Sequence, residues 1–66
     1  MAIKLCEHTY GTHIYMRLKL DNGRTEEVDA YITENGMKYH TSADNSPDFP
    51  KPEIRAQIIE AFNELY

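Results

Sequence analysis

The chain has a single cysteine, Cys6, which excludes an intrachain disulfide. A lone thiol suits a reducing compartment, and the cytoplasm is the expected location. No apolar run approaches the roughly 20 residues of a membrane-spanning helix. The opening residues, Met1-Ala2-Ile3-Lys4-Leu5-Cys6-Glu7, are short and charged, and no secretory leader is expected. Basic residues are also few: seven Lys and Arg stand against eleven Asp and Glu, for a net charge of −4. A nucleic-acid binder is ordinarily basic or carries a basic stripe. The balance here points instead to a partner that presents positive charge. None of the glycine patterns that cradle phosphate is present, and there is neither a repeat nor a low-complexity tract. No catalytic or cofactor motif occurs, so the chain is expected to be non-enzymatic and to carry no cofactor. Sixty-six residues make one domain, and a chain of this size buries only about 60% of its unfolded surface. That leaves no room for a deep cleft beside a core.

What the chain does contain is the dipeptide Asn-Gly twice, at Asn22-Gly23 and Asn35-Gly36, each between stretches that alternate apolar and polar. Asn and Gly tolerate the positive φ of tight hairpins, so the two copies predict an antiparallel meander. Strands are expected over Ile3 to Glu7, Thr12 to Leu20, Thr25 to Thr33 and Met37 to Thr41, with Tyr10-Gly11 as the first turn. Ile14, Met16, Leu18 and Leu20 share one face of the second strand. Val28, Ala30 and Ile32 share one face of the third.

Registers follow from keeping apolar residues together, since a one-residue slip turns every side chain over. A three-residue loop Asp21-Asn22-Gly23, with Gly23 in a left-handed bulge position, sets Met16 opposite Val28, Ile14 opposite Ala30 and Arg17 opposite Glu27. A two-residue loop Asn35-Gly36 sets Ile32 opposite Tyr39 and Tyr31 opposite His40. The first hairpin is expected to set Leu5 opposite Met16, Ile3 opposite Leu18 and His8 opposite His13.

Ser42 to Lys51 reads as a connection without an element, with Phe49 as its apolar anchor. Pro52 suits a first helical turn, and Glu53 the positive helix end. From Pro52 to Tyr66, the residues Ile54, Ile58, Phe62 and Leu65 fall at helical spacing. A one-sided meander and a single amphipathic helix each need the other's apolar face. The predicted fold is therefore α+β, a four-stranded antiparallel meander with one C-terminal helix packed on one face. The helix is expected on the face of Leu5, Met16, Leu18, Val28, Ile32 and Tyr39.

The opposite face is left open, and function is expected there. Tyr15, Arg17, Glu27, Asp29, Tyr31 and His40 are the predicted partner-binding residues, because tyrosine and arginine dominate interface hot spots and the carboxylates suit a basic partner. Glu27 and Asp29 are expected to point to solvent. The predicted function is a small acidic protein-binding module. Its sharpest form is an anti-CRISPR-like inhibitor, of phage or mobile-element origin, that covers a basic nucleic-acid-binding surface of its target. The alternatives are a sheet that binds single-stranded nucleic acid and a small metal-stabilised domain. Cys6, His8 and His13 are the candidate ligands for the latter, but a structural zinc needs four ligands, so no metal site is predicted. Both outer strands are exposed in this fold, which allows a monomer or an edge-strand dimer.

Overall fold

The computed structural model describes residues 1–45 and 52–66. The expected anchor Phe49 lies outside the described residues. Four strands, β1 (Ile3–Tyr10), β2 (His13–Lys19), β3 (Thr25–Thr33) and β4 (Gly36–Thr41), form one antiparallel sheet in the order β1-β2-β3-β4. A 3-10 turn, Ser42–Asn45, follows β4, and helix α1 (Pro52–Leu65) packs on one face of the sheet. The arrangement is the α+β meander plus helix that the sequence predicts. The 3-10 turn corrects the reading of Ser42 onward as structureless.

The β2–β3 hairpin has the expected register, with Met16 facing Val28, Ile14 facing Ala30 and Arg17 facing Glu27. Its loop is Asp21-Asn22-Gly23. Leu20 N donates to Arg24 O at 2.8 Å and Gly23 N to Leu20 O at 2.9 Å, with Gly23 at φ 88°. The Asn22 side chain accepts from Arg24 N at 2.9 Å, which adds the Asx contact that makes asparagine a turn former.

The other two hairpins close at different residues than expected. At β3–β4, Thr33 pairs with Gly36, so the loop is Glu34-Asn35, with Ile32 facing Met37 and Tyr31 facing Lys38. The Thr33 hydroxyl accepts from Asn35 N and donates to Gly36 O, which ties the closure there. The shift is two residues, so every side chain keeps its expected face. At β1–β2, Gly11 takes the positive φ (62°), and the strand therefore runs on to Tyr10, which pairs with His13. Glu7 faces Met16 and His8 faces Tyr15. A bulge between Lys4 and Cys6 then sets Lys4 opposite Leu18 and Ile3 opposite Lys19. Leu5 and Ile3, expected in the core, are 48% and 56% exposed, and Ile32 is 49% exposed.

The core consists of Ile14, Met16 and Leu18 from β2, Val28 and Ala30 from β3, and Ile58, Ala61 and Phe62 from α1, closed by Leu20 and Ala43. The helix lies over β2, β3 and β4. Tyr39 meets Phe62 edge-on at 5.8 Å, and its hydroxyl donates to Asn63 Oδ1 at 3.1 Å. The 3-10 turn is held by polar contacts. Thr41 N donates to Asp44 Oδ2 at 2.9 Å, Arg55 Nε donates to Asp44 Oδ1 at 3.0 Å, and Arg55 Nη2 donates to Tyr39 O at 3.0 Å. On the same side, buried Glu26 accepts from Ser42 Oγ at 2.6 Å and from Arg24 Nε at 2.8 Å, so its charge is partnered.

Candidate functional site

The registers arrange the open sheet face in rows that cross the strands. Tyr10, His13, Tyr31 and Lys38 form the row nearest the β1–β2 turn. His8, Tyr15, Asp29 and His40 form the next, followed by Cys6, Arg17 and Glu27, then Ile3, Lys19 and Thr25. All six predicted partner-binding residues lie on this face and in adjacent rows. Tyr15, Asp29 and His40 share a single row.

The rings of the first two rows touch. His13 and Tyr31 stack at 4.6 Å with 5° between their planes, and Tyr10 lies 6.3 Å from His13. His8 lies 6.0 Å from Tyr15 and 6.3 Å from Tyr10. Parallel rings at this spacing attract beyond their buried area. Only the His13–Tyr31 pair is close enough to cover ring faces, and Tyr10 and Tyr31 remain 65% and 40% exposed. Sequence reasoning left Tyr10, His8 and His13 out of the site. The signal is the alternation Cys6, His8, Tyr10, which continues past Glu7 through the Tyr10-Gly11 pair expected as the turn.

The carboxylates of the face are partnered. Asp29 Oδ1 is 2.7 Å from His13 Nε2, and Asp29 is half-buried, so it is not the free solvent charge expected. Glu27 Oε2 is 3.8 Å from Arg17 Nη2. Burial raises the pKa of the Tyr15 hydroxyl above its ordinary value, and Glu27 adds to the rise while Arg17 opposes it. The face carries Arg17, Lys19 and Lys38 against Glu27 and Asp29, and all three histidines lie on it. The acidic excess of the chain is therefore elsewhere. Part of it borders a cleft of about 320 Å³ between the first Asn-Gly turn and α1, where Asp21, Glu60 and Glu64 meet. The N-terminal ammonium pairs with Asp21 at this rim.

Cys6 faces Arg17, His8 faces Tyr15, and His13 is engaged by Asp29, so the three candidate metal ligands have separate neighbours. Among the described residues no group of three or more His, Cys, Asp or Glu is placed to hold a metal ion. No helix among them is long and apolar enough to cross a membrane. Comparison of the chain with protein-family models, with curated proteins and with solved structures finds no match.

Proposed function

We propose that this chain is a small, acidic, non-enzymatic protein-binding module that docks through its open sheet face. The observation that carries the reading is the contiguous array of Tyr10, His13, Tyr31, His8 and Tyr15, which no other described element covers. Tyrosine supplies contact area with few torsions to fix, and Arg17 beside the array adds a second hot-spot residue type. Asp29 and Glu27 are partnered, so docking does not leave either as an unpaired buried charge.

In its sharpest form the module is an anti-CRISPR-like inhibitor from a phage or mobile element, acting in the cytoplasm and covering a basic nucleic-acid-binding surface. What supports that form is the small size, the net charge of −4 and the acidic cleft at Asp21, Glu60 and Glu64. A field of this sign speeds encounter with a basic partner even where the contact face itself is mixed.

The second reading, a sheet for single-stranded nucleic acid, is favoured by the three cations of the face. It is disfavoured by Glu27 and Asp29, which sit in the middle of the same face and repel phosphate, and by the stacking of His13 on Tyr31, which occupies one face of each ring. Affinity purification of tagged protein from its host identifies the partner. Tyr31→Ala is then expected to weaken binding about tenfold, the scale of a hot-spot loss. The pair Glu60→Lys with Glu64→Lys is expected to act mainly on the association rate at low salt. Unchanged affinity for Tyr31→Ala moves the contact to the cleft. Salt-sensitive retention of single-stranded oligonucleotide, with no protein partner, replaces this reading with the second one.

A further inference from the structure

The two edges of the sheet differ in what their backbone meets. Hydrogen-bonded and non-bonded pairs alternate along an antiparallel ladder. Counting from the closing pair Thr33–Gly36, the backbone groups of Met37, Tyr39 and Thr41 turn outward from β4. Two of these are engaged, since Tyr39 O accepts from Arg55 and Thr41 N donates to Asp44. Counting from Tyr10–His13, the groups of Glu7 and Thr9 turn outward from β1. Among the described residues, none bonds to them. The helix lies over the other three strands, and the β1 residues on its side, Glu7 and Thr9, are polar.

We propose that β1 pairs antiparallel with β1 of a second copy of this chain, across a two-fold axis at His8. Self-pairing of one strand is isologous, so one register fixes the whole contact. With the axis at His8, Glu7 lies opposite Thr9 of the second copy on both sides of the axis. The outward N–H and C=O groups of all four residues are then bonded. Moving the axis to Glu7 sets two glutamates directly opposite, a like-charge pair that destabilises a sheet. Moving it to Thr9 sets Glu7 against the Gly11 turn and forfeits its bonds. An axis between residues sets helix-side side chains against open-face ones. The His8 register joins the two sheets into one of eight strands and sets His8 opposite His8, and Tyr10 opposite Cys6, of the second copy on a continuous open face. The contact does not rest on the proposed function: it uses the backbone edge of β1 and leaves the open side of the array uncovered, with His8 the one array residue on the axis.

Sedimentation equilibrium over a concentration series into the millimolar range tests the proposal. The mass is expected to double from monomer to dimer. His8→Cys in a Cys6→Ser background is expected to form a disulfide-linked dimer on oxidation, whereas Lys38→Cys on β4 in the same background is expected to stay monomeric. His8→Lys sets two ammonium groups on the axis and is expected to abolish the doubling while leaving the thermal melt of the monomer in place. A wild-type chain that keeps the monomer mass throughout overturns the proposal. So does a His8→Cys chain that crosslinks no faster than the Lys38→Cys control.

Discussion

β1 and β4 both end the sheet, yet they are held by different means. β4 is bound to β3 by its ladder, to α1 through Tyr39 and Phe62, and to the 3-10 turn through Asp44 and Arg55. β1 is bound to β2 by its ladder and by the ring contacts of His8 with Tyr15 and Tyr10 with His13, and its large apolar residues Ile3, Leu5 and Tyr10 stay exposed. Both strands alternate, and both look half-buried on paper. The difference shows that alternation reports a strand with two unlike faces, whereas burial needs something to lie on one of them. A fourteen-residue helix of about 1.5 Å rise per residue is only about 21 Å long. It covers three strands, and the fourth is left to its ladder and to ring contacts on the open face.

The strongest test of this comparison is a matched pair of truncations. Phe62 is fully buried between α1 and the sheet, and Phe62→Ala is expected to cost about 3–5 kcal/mol, enough to unfold most of so small a domain. Leu5→Ala, on the uncovered strand, is expected to stay within about 0.5 kcal/mol of wild type. Urea unfolding followed by circular dichroism reads both. A large loss for Leu5→Ala would place β1 in the core after all, and near-normal stability for Phe62→Ala would make the helix an appendage.

The sequence made the β2–β3 hairpin fully legible, because the apolar residues of both strands are buried and only one register keeps them together. Ile14, Met16, Leu18, Val28 and Ala30 all bear this out. The outer hairpins lacked that constraint. Moving β4 by two residues exchanges Tyr39 for Met37 opposite Ile32 and keeps every side chain on its face, so alternation does not choose between the two closures, and the Thr33 hydroxyl bonds the one observed. On β1 the bulge breaks the alternation between Lys4 and Cys6, and a bulge in an edge strand leaves no mark in a hydrophobic pattern. The face assignments of the six candidate site residues survived these shifts because parity was preserved. The contact of Asp29 with His13 runs diagonally across the pleat, since Asp29 faces Tyr15, and was not legible, whereas His13 on Tyr31 follows directly from the β2–β3 register.

Smaller perturbations sharpen the comparison. Gly23 sits at φ 88° with open space where a Cβ would be, so the strain of a substitution is conformational. Gly23→Val is expected to cost about 1–3 kcal/mol by chemical denaturation, the range for a side chain forced into that region. A neutral result would mean that the loop relaxes to another turn. Arg55→Ala is expected to cost about 1 kcal/mol, since it frees Tyr39 O and Asp44 but the side chain is partly exposed. Faster amide exchange at His40 and Thr41 than elsewhere in the sheet would locate that loss at β4. Uniform acceleration would show that Arg55 supports the whole fold instead.

The weakest expected effect concerns Tyr15, at the centre of the open face. Its hydroxyl is held above its ordinary pKa by burial first and by Glu27 second. Above a pH of about 10, where the unfolded chain loses the tyrosine proton, the folded chain keeps it, so the native state binds more protons than the unfolded state. Stability then falls as pH rises through that window, and the contribution is fully present only below it. Tyr15→Phe removes the titrating group and leaves the ring beside His8. The variant is therefore expected to show a shallower loss of melting temperature than wild type over the alkaline range, with no difference near neutrality. Parallel alkaline melts for the two proteins would show that Tyr15 is as free to ionise in the sheet as in the unfolded chain, and that the open face is wetter at its centre than the packing of Tyr15 against His8 implies.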